Sequence, residues 1–222
     1  IEISKIFEKK TENTNKTEKI YKNVRIILRL HAKQDKIYCI QENNRGYIME
    51  KIYETAYAKI NLGLDVLGKR SDGYHEVRMV MQSVGLSDAV EIEEGEGLVV
   101  ETDHSGLVGG PDNLAWKAAE LLARCCGKIP NVHIRLNKKI FLAAGLAGGS
   151  SDAAAVMRGL SRLWQLALTA PELEKLAAEL GSDIPFCITG GTALAEGRGE
   201  ILTELPEAPE LLLVLAKPKL EV

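Results

Sequence analysis

The chain has 222 residues, 45% apolar, 27% charged and 5% aromatic, with 28 Lys and Arg against 31 Asp and Glu and a formal charge of −3. This is the composition of a globular chain long enough to bury a core, and it excludes a small disulfide-stapled scaffold. No run of about 18 apolar residues is present, the first thirty residues are too charged for a secretory apolar region, and the mildly acidic balance argues against binding a nucleic-acid backbone.

Residues up to Ile48 hold eleven Lys/Arg and six Asp/Glu, a net of +5 that leaves −8 for the remainder, and they contain one glycine, Gly46, and no proline. Residues 5–22 are polar and without periodicity, which predicts disorder, while 24–30 and 37–40 have the composition of short strands. Residues 1–48 therefore read as a basic extension, disordered or not native to the domain, with Met49 as the natural start; a basic arm for RNA is the functional alternative. Beyond it, Ala58, Ile60, Leu62, Leu64 and Val66 alternate with Lys59, Asn61, Gly63 and Asp65, the period of a half-buried strand with Lys59 and Asn61 on its polar face.

Further strands are predicted at 76–84, 89–94, 98–102 and 132–136, with turns at Ser71-Asp72-Gly73 and Gly109-Gly110-Pro111. Asp112 is placed to cap a helix with an apolar stripe of Leu114, Ala118, Leu121, Leu122 and Cys125, which Gly127 ends. A second helix follows Ser150-Ser151, with Ala153, Val156, Met157, Leu160, Leu163 and Trp164 on its core face, and a third runs over 171–181. Final strands are predicted at 192–195, 200–205 and 211–215. Cys39, Cys125, Cys126 and Cys187 lack Cys-x-x-Cys spacing and read as reduced thiols, with no zinc set.

The run that carries chemistry is Phe141-Leu142-Ala143-Ala144-Gly145-Leu146-Ala147-Gly148-Gly149-Ser150-Ser151, a glycine-rich loop opening into an amphipathic helix. Glycines let backbone N–H groups approach a phosphate, and the free amides and dipole of the first helical turn favour an anion there. A tight strand-to-helix turn with a serine cap is the plainer reading of the same residues. No Lys follows the glycines, as Gly-Lys-Ser/Thr would require, and Ala147 breaks Gly-x-Gly-x-x-Gly.

Together with Tyr57-Ala58-Lys59-Ile60-Asn61-Leu62-Gly63-Leu64, Lys69-Arg70-Ser71-Asp72-Gly73-Tyr74-His75-Glu76, Gln82-Ser83 and Gly181-Ser182-Asp183-Ile184-Pro185-Phe186, this loop resembles the GHMP kinases. The narrower resemblance, over about residues 49–222, is to members that use ATP to phosphorylate the 2-hydroxyl of a diphosphocytidyl-methylerythritol in the non-mevalonate route to isoprenoid precursors. It implies an α+β fold, the ribosomal-S5-like N-terminal lobe, with a mixed, mostly antiparallel sheet and helices on one face. It implies ATP and Mg²⁺ as cofactors, a small-molecule substrate, no nucleic-acid or membrane partner, and a bacterial cytoplasm or, after loss of a transit peptide, the plastid stroma.

Carried over by residue, the resemblance gives the loop residues 141–151 to ATP, makes Asp183 the base that takes the substrate proton, and makes Lys59 the cation beside it. Tyr74 and His75 match the residues that recognise the cytosine ring, by stacking and hydrogen bonding, and Asn61 a substrate contact. Standing alone, Lys59 would read as a lysine on the wet face of a strand and Asp183 as a turn or cap residue. Glu196 and the loop serines are candidates for metal contact.

Where the family commonly has a proline and more glycines, this chain has Phe141, Ala143, Ala144 and Ala147, whose methyl groups are expected to crowd the loop or forbid positive φ. Family members continue beyond residues 211–222 into a second α/β lobe, so the chain is expected to be the N-terminal ATP-binding lobe, of weak or no activity by itself. Another GHMP small-molecule kinase and a non-catalytic nucleotide-binding fragment are the alternative functions.

Overall fold

In the computed structural model, residues 38–42 and 48–217 are described. Apart from the backbone of Tyr38–Glu42 and Ile48, the basic segment and its expected strand at 24–30 lie outside the described residues. One seven-stranded sheet is built from β1 (Tyr38–Glu42), β2 (Ile48–Lys69), β3 (His75–Glu94), β4 (Leu98–Thr102), β5 (Val132–Asn137), β6 (Thr192–Glu196) and β7 (Ile201–Glu204). The order is β1-β2-β3-β5-β4, with β6 on the other half of β3 and β7 beside β6. All pairs are antiparallel except β4 with β5. The strands expected at 76–84 and 89–94 are therefore one strand, β3, which serves β6 with Met79–Gln82 and β5 with Ala89–Glu94.

Among the described residues, four helices cover one face: α1 (Leu114–Cys125), α2 (Gly148–Leu163), α3 (Ala170–Ala177) and α4 (Ile184–Thr189). Val90 and Ile92 of β3, Ile134 and Leu136 of β5 and Ile52 of β2 form the sheet side of the core, against Ala118 and Leu122 of α1 and Val156, Met157 and Leu160 of α2. Ala153, Ala154 and Ala155 are all buried, so α2 has almost no polar face near its start and runs through the middle of the domain. The opposite face is polar, where Glu93 pairs with Lys51 at 3.0 Å and Arg135 with Glu101 at 3.1 Å across neighbouring strands. This alternation is the one-sided burial of an antiparallel sheet covered by helices.

Helix ends follow local chemistry with some shifts. Asn113, rather than Asp112, caps α1, its side-chain oxygen accepting from Ala115 N at 2.9 Å. Gly127 at φ +64 follows that helix, with Lys128 N bonded to Ala123 O, as a left-handed C-terminal glycine permits. Thr169 and Glu172 form a capping box before α3, and α4, which the sequence pattern did not reveal, is a single short turn-rich segment after Asp183. Residues 211–215 form no strand among the described residues, and Leu212 and Val214 lie exposed.

The alternation predicted over 58–66 holds only in part. Register shifts between Tyr57 and Lys59, Asn61 and Gly63, and Val66 and Gly68 mark bulges in β2. Each bulge resets which face a side chain takes. Ala58 and Lys59 are consequently both buried, while Leu62, Leu64 and Val66 are exposed on the outer part of the β2–β3 ribbon.

Candidate active site

Lys59 does not lie on a wet face: the residue is 6% exposed. Its Nζ stands 3.4 Å from Asp183 Oδ2 and 3.4 Å from Asn61 Oδ1, to which it donates. Asp183 occupies the N-cap position of α4, yet its side chain makes no capping bond. The carboxylate turns instead to Lys59 and keeps about a third of its surface exposed, so an incoming hydroxyl can reach it. A buried ammonium beside an accessible carboxylate supplies positive charge where phosphoryl oxygens would gather.

The glycine-rich loop reaches this pair directly. Lys59 N donates to Leu146 O at 3.1 Å, and Ala58 packs with Ile140 and Leu146 in a small apolar cluster beneath the loop. Ala143, Gly145 and Ala147 have φ of +48, +69 and +56, whereas Ala144 and Leu146 between them do not. Backbone that alternates the sign of φ can turn successive N–H groups toward one side, a concavity suited to anions, and the loop runs on into the first turn of α2. The alanines therefore do not forbid positive φ, contrary to expectation; they adopt it with strain.

The loop residues divide by role. Ser151 is buried and its hydroxyl donates to Tyr57 O at 2.6 Å, tying α2 to β2 rather than facing the loop's concavity. Among the described residues the Ser150 hydroxyl makes no hydrogen bond, leaving it, with Gly148 and Gly149, at the open helix start. Phe141 and Leu142 line a cleft of about 390 Å³ with His104, Lys139 and Lys217.

Tyr74 and His75 are not in this cluster. They sit at the tip of the β2–β3 ribbon, His75 opposite Lys69, ten residues along β2 from Lys59. The turn is held by Arg70 N to Tyr74 O at 2.8 Å, Tyr74 N to Asp72 Oδ1 at 3.1 Å, and the Arg70 guanidinium on Asp72 and Glu76. Arg198 lies over the Tyr74 ring, 5.0 Å from its centroid, so the half-exposed ring is backed by a cation. Glu196 pairs with Arg78 at 3.1 Å, which removes it as a free metal ligand. Among the described residues no three His, Cys, Asp or Glu side chains converge to hold a metal ion.

Gln82 and Ser83, one of the motif blocks of the sequence, accept from Thr192 Oγ1 and Gly191 N, closing β3 against β6 opposite Lys59. Sequence reasoning missed two further features. Cys187 lies beside the site, its thiol pushed up to about 12 by burial and by the Asp183 charge, and is inert as a nucleophile at neutral pH. Asp88, Lys138 and Asp152 form a buried ionic cluster behind the loop.

Residues 113–191, which include the loop and Asp183, match the family model for the GHMP kinases N terminal domain. Over those residues the described domain is similar to that family. A relative from Synechococcus sp. (strain JA-3-3Ab) named 4-diphosphocytidyl-2-C-methyl-D-erythritol kinase is 53% identical over 165 residues, 74% of this chain and 53% of the relative. One of the same name from Caldanaerobacter subterraneus subsp. tengcongensis is 50% identical over 172 residues, 78% of this chain and 60% of the relative. The chain thus spans between half and about three fifths of the length of these relatives.

Among solved structures, that of a 4-(cytidine 5'-diphospho)-2C-methyl-D-erythritol kinase aligns with a TM-score of 0.61 and 39% identity, over 69% of this chain and 55% of the other. Homoserine kinase from Cytophaga hutchinsonii aligns with a TM-score of 0.56 and 19% identity, over 70% and 52%, a likeness of fold. The sheet with helices on one face is accordingly the α+β N-terminal lobe expected from the motifs. Among the described residues no helix is long and apolar enough to cross a membrane.

Proposed function

We propose that the protein is a small-molecule kinase that transfers the terminal phosphoryl group of ATP to the 2-hydroxyl of 4-diphosphocytidyl-2-C-methyl-D-erythritol, and that the described domain is its nucleotide-binding lobe. The observation that carries this reading is the Lys59–Asp183 pair seated where the glycine-rich loop is bonded to β2. The names of relatives about 50% identical over three quarters of the chain support the choice of substrate.

Asp183 accepts the proton of the attacking hydroxyl, and the oxygen attacks the terminal phosphorus as the bond to the ADP oxygen breaks. Lys59 pairs with the Asp183 carboxylate before the step and offsets charge on the transferring group during it. The loop amides of 143–150 hold the phosphates, and Tyr74 with His75 receives the cytosine. Among the described residues no His, Cys, Asp or Glu set converges to hold Mg²⁺, which would arrive with the nucleotide and would neutralise phosphate charge.

ADP release by the purified protein with ATP and Mg²⁺ tests the reading, with the cytidyl substrate beside mevalonate and homoserine. Weak turnover, with the cytidyl compound alone, is expected. Turnover with mevalonate or homoserine and none with the cytidyl compound overturns it.

A further inference from the structure

The buried cluster behind the loop is more than filling. Asp88, on β3, accepts the backbone N–H groups of Lys139 and Ile140 on one oxygen, the latter at 2.8 Å, and the Lys138 ammonium on the other. The same ammonium donates to Asp152, in the first turns of α2. Lys138 N is itself held by Asp103 Oδ1 at 2.9 Å. All three clustered side chains are at most 3% exposed. One ammonium thus joins the residues just before the loop to the helix just after it.

An apolar trio would fill the same space at lower desolvation cost, since a buried ion cluster is seldom the most stabilising choice. What charges add is direction: each bond fixes where a backbone segment lies. Burial pushes the Asp152 carboxyl up to about 7, with Lys138 opposing and Asp88 adding to the rise.

We infer that Asp88, Lys138 and Asp152 are positioning residues, a clamp that holds both ends of the 140–151 loop and so sets the curvature of its anion-binding amides. The inference rests on the reading of that loop as the nucleotide site, but the clamp itself is measurable without nucleotide.

The experiment compares the full chain with Asp152→Ala and Asp152→Asn by amide hydrogen exchange and by binding of trinitrophenyl-ATP. In the unaltered protein, the amides of Lys139 and Ile140 should exchange as slowly as those of β5 although they lie outside any strand, a result that stands whether or not Asp152→Ala folds. Asp152→Ala should raise exchange over 141–150 and weaken probe binding, each by about tenfold or more, while β5 stays protected. Asp152→Asn, which keeps an acceptor facing Lys138, should stay within about threefold of the unaltered protein in both.

Loop exchange unchanged in Asp152→Ala, an equal rise throughout β5, or failure of Asn to restore the loop overturns the clamp. If the exchange pattern is as expected and the unaltered chain binds no probe, the clamp stands and the nucleotide reading falls.

Discussion

The backbone N–H of Lys59 donates to the carbonyl of Leu146, so the strand bearing the buried lysine and the glycine-rich loop are joined at the lysine itself. Any slip in β2 register would move ammonium and loop together, and their spacing is preserved by one short connection rather than by the whole sheet. The same strand holds Asn61 within reach of the ammonium, and α4 brings Asp183 from the far side.

Asp183→Asn removes the proton acceptor and keeps the shape. Turnover is expected to fall by about 10²- to 10⁴-fold with nucleotide affinity unchanged. Steady-state kinetics beside a binding titration decide this; turnover within about threefold of the unaltered protein would remove Asp183 from proton transfer. Lys59→Met should lower kcat as well, since it leaves the carboxylate without its cation.

Tyr74→Ala should raise KM for the cytidyl substrate by about tenfold, the weight of one base on an aromatic ring, and leave KM for ATP unaltered. Tyr74→Phe should retain the affinity, because the ring and its Arg198 backing persist. Equal KM values for Tyr74→Ala and the unaltered protein would place the cytosine elsewhere.

Ala143→Gly and Ala147→Gly should stabilise the domain. Both alanines are held at positive φ, which costs an L residue about 1 kcal/mol or somewhat more, offset in part by the extra freedom of glycine in the unfolded chain. A rise in Tm of about 2 °C per site is expected by calorimetry. A fall at both sites would show that the methyl groups contribute packing that outweighs the strain.

Asp152 gives the domain a pH signature. Its folded pKa is raised above the value of an unfolded carboxyl, to about 7, so between about pH 4 and 7 the folded state binds the extra proton. Stability from this group is full below the unfolded pKa and is lost as pH rises through 7. Denaturant midpoints should therefore decline over that window relative to Asp152→Asn, whose curve lacks this component. Parallel curves for the two proteins would contradict the raised pKa.

Much of this arrangement is legible in the sequence, because its cues are local. Turn residues at 71–73, the Gly127 stop and the glycine-serine run at the start of α2 act over a few positions, and each appears where its chemistry puts it. The departures share a cause as well. Three bulges in β2 change which face Lys59, Leu62 and Leu64 occupy, and a bulge has no signal in hydrophobic period. The Asp88–Lys138–Asp152 cluster joins residues 50 and 14 positions apart, so only the folded chain discloses it. Residues 211–215 have the composition of a strand, but pairing is decided by a neighbour, and among the described residues they pair with no strand.

β3 has a kinetic consequence. Because β3 pairs with β2 along one edge and shares its other edge between β5 and β6, its pairing with β6 joins residues more than a hundred positions apart, such as Met79 and Ala195. Closing so long a loop slows folding, and it can be completed only after most of the chain has collapsed. Lys59 and Asp183 meet across a similar span, so the pair is among the last contacts to form. Recovery of function after dilution from denaturant should then lag behind recovery of helix signal, and the lag would time the arrival of the last strand.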